Sequence, residues 1–591
     1  MPNAYANKVQ VTRGGQTETL IDLTADTAIA SDVAQGKYFH LASGERVVGT
    51  ATGGGGAVYQ DQDGFIVLSD QGGGSSVTVE ALSVTQNGTY TAQSGHAYSP
   101  VTVNVSGGGA ESKAVEFHDY DGTIVASYTK TEFAALTALP SNPSHTGLTA
   151  QGWNWSLSDA KTYIQTHDHL SIGQMYVTSS GKTEVDIVLE APYLSPYLML
   201  APNGTVTIDW GDGSSTDTMT GTSYTSSYYQ QHVYAQAGAY TIAITVESGG
   251  FTFYNGSQSY AGMLRMVGAS NGRSHSRTYS NDVQAVRIGT GVDRLGYGAF
   301  ANCTSMEYVT VSASVTSIGS YAFYDCFALT SIVIPSGVTN IDNYTFQNCY
   351  AITSVNIPSS VTSIGTSAFH NCYSLTSIDI PSGVTNIGNS TFQNCYVLTS
   401  IDIPSGVTSI GTSAFSGCYA LTSIDIPSSV TSIGNSAFYG CYTLASIDIP
   451  SGVTSIGTNA FQYCYALTSI DIPSGVTSIG TGTFQACYAL TSIDIPSSVT
   501  SIGTGAFSGC HALTSVSIPS SVTSIGTNAF NSCYGVLEYH LLPETPPTAG
   551  TTMFANIFSG TVIYVPQGCL SDYQSADNWS TYASYMQEEA A

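Results

Sequence analysis

The sequence predicts a mainly β, multidomain chain whose C-terminal half is a solenoid, and three observations carry that prediction. The first is a period: cysteine falls at 303, 326, 349, 372, 395, 418, 441, 464, 487, 510 and 533, always 23 residues apart. A fixed period of this kind marks coils that bury their apolar face only by stacking on neighbours. The second is the alternation inside each period. In Leu421-Thr422-Ser423-Ile424-Asp425-Ile426-Pro427 the apolar residues fall on one side of a strand, and Thr422, Ser423 and Asp425 on the other. The third is length with punctuation: 591 residues exceed one core. Glycine runs at 53–56, 72–74 and 107–109 read as connectors.

Within the coil, Pro427 closes the strand because it cannot donate a ladder hydrogen bond. Gly434 is expected to hold a backbone conformation that a β-carbon resists. Eleven of the twelve cysteines share one column and read as a buried ladder of free thiols. C-x-x-C pairs for zinc are absent, and Cys569 reads as packing as well. The motif A-F-x-x-C-x-x-L-x-x-I-x-I-P-x-x-V-x-x-I-G, running over 300–535, resembles the BspA-type leucine-rich repeats of surface and adhesion proteins of bacteria and their phages. The resemblance implies a solenoid over 300–541 and a degenerate closing repeat over 542–591. There Thr561 to Pro566, with Tyr573 and Trp579, would cover the last apolar layer.

Ahead of the solenoid the chain reads as a series of modules. Residues 1–51 hold a short pattern around Leu20 to Leu23, and 57–71 a hairpin turning at Asp63-Gly64. A small β module is expected at 76–106 and a small α+β module at 113–184. The latter contains one helix between Ser156 and His167, capped by Ser156 or Ser158. With Val115 to Thr123 and Leu148 to Trp155, these pieces resemble modules of tail-fibre and baseplate-associated proteins from phages and prophages of Firmicutes. That resemblance implies attachment to a virion through 1–51, with other tail proteins as partners. Over 185–250, Trp210-Gly211-Asp212-Gly213, His232-Val233-Tyr234 and Gly238 to Val246 resemble a PKD-type β-sandwich, implying a spacer or adhesion module. Residues 251–299 would connect to the solenoid and cap it. Their Arg265, Arg273, Arg277, Arg287 and Arg294 either pair with the acidic half, pair with another subunit or stay solvated.

Charge excludes some partners. The formal net charge is -27, and all 13 lysines and arginines lie at or before Arg294; 15 acids follow. Nucleic acid and anionic membranes are therefore not expected to bind. No run of 18 apolar residues predicts membrane insertion, and residues 1–20 lack a signal-peptide pattern. Leu542-Pro543-Glu544-Thr545-Pro546 resembles a sortase signal only in part, without the glycine or a hydrophobic tail. A virion protein needs none of these addresses. Catalysis is not expected either: the repeats hold no Ser-His-Asp set, P-loop or paired glutamates. His167-Asp168-His169 reads as an exposed polar turn rather than a metal site. Asp209, Asp212 and Asp217 lack the spacing of an EF-hand and read as turn chemistry. No cofactor is expected, with Ca2+ as the single option.

Two columns stand out as candidate receptor-binding residues. One follows the cysteines: Tyr350, Tyr373, Tyr396, Tyr419, Tyr442, Tyr465 and Tyr488. With serine and glycine these rings make a surface of the kind paratopes use. The other is Asp379, Asp402, Asp425, Asp448, Asp471 and Asp494, outward on the strand. At a coil spacing of about 4.8 Å, neighbouring carboxylates repel by roughly 0.9 kcal/mol even in water. The function read from the sequence is a non-enzymatic phage tail fibre or adhesin, located on the virion and extracellular when acting. Its solenoid would recognise a host cell-surface glycan or protein. The alternatives are a bacterial surface adhesin lacking its secretion signal and a purely structural spacer. A homo-oligomer is expected, with a trimer as one count, although no heptad supports it.

Overall fold

The computed structural model describes residues 112–191, 193–224, 228–253 and 282–590, with strand backbone at 264–265 and in segments of the first 112 residues. The chain divides into two units, 1–112 and 113–591. In the first, β1 (Lys8–Arg13), β2 (Gln16–Asp22), β3 (Ala57–Gln60), β4 (Ile66–Ser69), β5 (Val77–Val79), β6 (Gly88–Tyr90) and β7 (Val101–Val105) form two sheets. Strands β3 and β4 pair antiparallel; the Asp63-Gly64 turn expected between them lies outside the described residues. The 76–106 stretch is not one module. Its β5 extends that hairpin, while β7 pairs with β1 in a sheet of order β2-β1-β7-β6. Unpaired hairpin edges take the strands within reach.

In the second unit the mainly β character is dominated by a solenoid of about 13 turns. Successive coils pair in parallel and in register, Ser432 opposite Ser455 and Ile433 opposite Ile456, and Asp425 opposite Asp448 on the other strand. Leu421, Ile424 and Ile426 point inward and Asp425 outward, as the alternation requires. The phenylalanines stack from Phe323 to Phe530 with centroids 5.2–5.6 Å apart. The cysteines beside them are free and buried. Each thiol from Cys326 to Cys533 donates to a phenylalanine carbonyl of the preceding coil; Cys418 Sγ does so to Phe392 O at 3.2 Å. Burial pushes the Cys418 and Cys487 thiols up to about 12, so they stay protonated and inert.

Gly434 serves for a reason other than the expected one. Its φ is not left-handed; instead a Cβ there would stand 2.6 Å from the backbone of Gly411 and Thr412 one coil before. The left-handed positions lie elsewhere, at Ser390, Ser413 and Ser436 and at the residue before each cysteine, Asn348, Asn371, Asn394, Gly417 and Gly440 among them. Asparagine tolerates that conformation, and its amides form a ladder, Asn394 Nδ2 donating to Asn371 Oδ1 at 2.8 Å.

Both ends of the solenoid are closed. At the C-terminus, strand Val562–Val565 pairs with Glu538–Leu541 and then with Met586–Glu588. Tyr573 and Trp579 are fully buried over the last layer and donate to Pro543 O and Pro547 O, each at 2.7 Å. At the N-terminus stand β12 (Thr183–Leu189), β13 (Tyr197–Asp209), β14 (Asp217–Thr222), β15 (Tyr228–Gln231), β16 (Gly238–Thr252), β17 (Leu264–Arg265) and β18 (Val283–Arg287). The main sheet runs β14-β13-β16-β12-β18 and continues into the coil strand Tyr308–Thr310. A single apolar core extends from Val185 to Met586. Residues 185–250 and 251–299 are therefore not a spacer followed by a cap. Their described strands together form the sheet on which the first coil is built. Arg287 is held there by Glu184 and Asp186, at 2.9 and 2.5 Å, rather than by solenoid acids. Arg294 meets Asp293 and the Tyr224 ring, while Arg273 and Arg277 lie outside the described residues.

The 113–184 stretch folds as β8 (Val115–His118), β9 (Ile124–Tyr128), α1 (Lys130–Ala135), β10 (Leu148–Trp153), α2 (Leu157–Ile164) and β11 (Leu170–Thr178), with sheet order β10-β11-β8-β9. Ser156 caps α2, accepting from Asp159 N. Helix α1 was not expected, although Thr129 and Glu132 form the reciprocal capping box that announces it.

Candidate functional site

In a parallel ladder alternate carbonyls accept from N–H groups of the preceding and the next coil, and the carbonyl before each proline position faces the next coil. Proline breaks that rule, since it has no N–H. Where Leu542 stands at the proline position, its N–H donates to Ile518 O at 2.9 Å. Pro358, Pro381 and Pro404 cannot do the same for Ile334, Ile357 and Ile380. Those three carbonyls are satisfied from outside the coil. Asn154 Nδ2 donates to Ile334 O (3.1 Å), Trp155 Nε1 to Ile357 O (2.8 Å) and Tyr163 OH to Ile380 O (3.2 Å). The 113–178 module thus lies across the strand face of the early coils. Gly173 lets it sit close, because a Cβ there would be 2.6 Å from the Val333 methyls.

The aspartate column begins under this cover. Asp379 is buried; it accepts from Ser171 N at 2.5 Å and faces His169 Nδ1 at 3.2 Å. His169 Nε2 lies 3.5 Å from Glu116, which also meets His118 at 3.4 Å. Burial opposes a charge on His169, but bonds to Asp379 and Glu116 outweigh it and push the ring up to about 10. The bonds from His118 and His169 hold Glu116 down at about 2. His169 is thus a half-buried cation joining module to solenoid, not part of an exposed turn. Only its neighbour Asp168 is open, paired with Lys130. Asp402 marks the edge of the contact, accepting from Asp168 N at 3.4 Å. Asp425, Asp448, Asp471 and Asp494 are exposed.

The tyrosines form a continuous ribbon on one flank. From Tyr350 to Tyr488, through Tyr373, Tyr396, Tyr419, Tyr442 and Tyr465, centroids are 4.5–4.9 Å apart with planes within 9°. Ring faces are therefore taken by ring faces, and the ribbon offers water its phenol edges. Exposure rises to 44% at Tyr488. Such a surface donates and accepts hydrogen bonds along a line but has no open face for a ring-stacked ligand.

Elsewhere the polar groups are locally engaged. Asp209 accepts from Gly211 N, Asp217 from Trp210 Nε1, and Asp212 from Ser214 N and His232. A polar cleft of about 320 Å³ is lined by Tyr120, His145, Glu184, Arg287 and Tyr308, but its arginine already serves Glu184 and Asp186. Among the described residues no three His, Cys, Asp or Glu side chains gather as metal ligands, and no helix is long and apolar enough to cross a membrane.

The family model of the BspA type leucine rich repeat region matches residues 275–399, 385–510 and 477–576, together just over half of the chain. The chain belongs to the BspA-type leucine-rich repeat family. Among solved structures, this family member is similar to a leucine-rich repeat protein from Bacteroides ovatus, with 25% identity over 52% of this chain and 95% of that one and a TM-score of 0.38. A leucine rich cell surface protein from Faecalibacterium prausnitzii shows 25% identity over 58% and 91%, with a TM-score of 0.29. A leucine rich repeat protein from T. pallidum shows 31% over 31% and 82%, with a TM-score of 0.26. No curated protein sequence matches the chain. BspA-type repeats are typically binding or structural elements rather than catalytic ones.

Proposed function

We propose that this BspA-type repeat protein is a non-enzymatic adhesin whose solenoid recognises a cell-surface glycan or protein. One observation carries the reading: beyond Asp402 the coils present uncovered rows of identical groups, the tyrosine ribbon and the row Asp425 to Asp494. The recognising residues in this reading are Tyr350, Tyr373, Tyr396, Tyr419, Tyr442, Tyr465 and Tyr488 with the four exposed aspartates. Asp379 and Asp402 are withdrawn because both already accept hydrogen bonds from the 113–178 module. For the carrier we propose a phage tail, supported by the resemblance of the segments before Trp155 to tail modules. The bacterial-surface alternative draws its support from the family, which is common in surface proteins.

The test is saturable binding of the labelled full chain to a panel of intact bacterial cells. Replacing Tyr419, Tyr442 and Tyr465 together by alanine is expected to weaken binding by about tenfold or more, as loss of a central aromatic group does. Absence of saturable binding to every cell type would leave only the spacer role.

A further inference from the structure

The tyrosine ribbon carries chemistry as well as surface. From Tyr350 to Tyr488 successive phenols stand 4.5–4.9 Å apart with planes within 9°, giving six neighbouring pairs. The coil stack repeats these rings by translation, so the carbons ortho to oxygen lie about as far from their counterparts as the centroids do. Rings that are not phenols bound the series: Phe327 stacks on Tyr350 at 4.7 Å and His511 on Tyr488 at 4.9 Å. The phenol edges reach water, with 36% exposure at Tyr419 and 44% at Tyr488. The repeat cysteines do not compete for an oxidant, because all eleven are buried and remain protonated thiols. An electron drawn from one ring therefore leaves a radical whose nearest partner is the phenol of the next coil.

We propose that the ribbon is a site of oxidative cross-linking, at which a one-electron oxidant made from hydrogen peroxide by a haem peroxidase joins tyrosines of adjacent coils as dityrosine and staples the solenoid. The inference is independent of the recognition reading, since it needs no ligand on the ribbon. In each step two neighbouring phenols give one electron each to the oxidant and release their hydroxyl protons. The two phenoxyl radicals pair through ring carbons ortho to oxygen and form one C–C bond. The hydrogens on those carbons then move to the oxygens as the rings regain aromaticity. Two hydrogens leave per link, and one hydrogen peroxide takes up the two electrons and two protons to become two waters. Proximity decides which tyrosines join. A partner held in contact acts at an effective concentration far above that of any second chain. Tyr229 is 61% exposed and open to the oxidant, but it stands outside the row. Each link closes a loop along the chain from one coil to the next, so the coils it joins separate less readily on unfolding.

The experiment treats the full chain with a haem peroxidase and hydrogen peroxide at a series of protein concentrations, then cleaves it with a peptidase that cuts before aspartate. Cuts at Asp379, Asp402, Asp425, Asp448, Asp471 and Asp494 leave Tyr396 to Tyr488 each in the peptide of its own coil. Peptides 379–401 and 402–424 hold a single tyrosine each, so a link between them is Tyr396 to Tyr419. Mass spectrometry is expected to find consecutive coil peptides joined with the loss of two hydrogens, in monomeric chains and independently of protein concentration. Links within the ribbon should exceed those from Tyr229 by about tenfold or more. Y373F/Y419F/Y465F keeps a ring at every position, as Phe327 does, but breaks all six neighbouring pairs. In that variant, joining of Tyr396 to Tyr442 is expected at about a tenth or less of the parent's Tyr396 to Tyr419 link. Oxidation should raise the melting temperature of the parent and leave that of the variant unchanged. Dityrosine formed mainly between chains, or led by Tyr229 in order of exposure, overturns the proposal, as does its absence. Undiminished joining of Tyr396 to Tyr442 in the variant overturns it too. Equal melting of the oxidised and untreated parent overturns the stapling.

Discussion

Coils of nearly the same sequence live in two environments in this molecule. Around Ile334, Ile357 and Ile380 the strand face is roofed by the 113–178 module, and each of these three carbonyls, which proline leaves without a ladder donor, accepts from a side chain. Around Ile426, Ile449 and Ile472 the same face is open. The repeat therefore does not determine its own use: the same Ile-Asp-Ile-Pro strand is an internal joint in one place and a free surface in another. What separates them is one neighbour of unrelated sequence. The module shows which groups satisfy the backbone acceptors that proline leaves without a ladder donor.

The largest effect is expected where the roof is pinned. Trp155 is 3% exposed and donates to Ile357 O. Trp155→Ala removes the largest buried ring at the joint and strands a buried carbonyl, so it should cost about 3–5 kcal/mol. Urea unfolding of the full chain followed by tyrosine fluorescence would measure it. A loss below about 1 kcal/mol would mean that the module merely rests on the coils. Next comes Asp379→Asn, which weakens the bonds to Ser171 N and to the protonated His169. About 2 kcal/mol is expected, since charge-assisted bonds in partly buried sites are the stronger kind.

These residues also mark the limit of what the sequence could reveal. The 23-residue period fixed the inward and outward side of each strand, because every coil repeats the packing problem of the last. Trp155, His169 and Asp379 had no such help. They meet across some two hundred residues, and neither partner carries a local pattern announcing the other. His167-Asp168-His169 accordingly resembled a polar turn, although His169 is engaged between two carboxylates. A signal was nevertheless present. Proline repeated at the end of every strand guarantees an unpaired carbonyl, and asking what satisfies it leads to the joint. The glycine column was misjudged for a related reason. Close approach between coils cannot be seen in a single coil, whereas Asn or Gly before seven of the eleven repeat cysteines is a local signal for the left-handed turn. The boundary drawn at 250 failed because β16 continues to Thr252 in a sheet that the first coil extends.

Titration separates the covered from the open coils more gently. The His169 pKa in the folded chain, about 10, lies above the ordinary value near 6.5. The contribution of its charge is thus complete below about pH 6.5 and disappears as pH rises toward 10. The side chain is 32% exposed, so solvent reduces the effect to about 1–2 kcal/mol. The melting temperature of the full chain should fall across that window, and H169Q should flatten the fall. Equal falls in both proteins would assign the pH dependence to other groups.

The smallest effect is the counterpart of Asp379→Asn on an open coil. Asp448 is exposed and bridged in register with Asp425, and it lacks any ion-pair partner among the described residues. Two like charges stand one coil away on either side. Asp448→Asn removes that repulsion and is expected to stabilise the chain by up to about 0.5 kcal/mol at low salt, well below the unscreened sum because water surrounds the row. At about 1 M salt the Debye length shrinks to about 3 Å, and the gain should vanish. The sign is what matters: the same substitution in the same column should destabilise at 379 and stabilise at 448. A loss of stability at 448 as well would show that the open carboxylates already have a structural task within the coil, and the contrast between roofed and open coils would then lie in the proline-orphaned carbonyls alone.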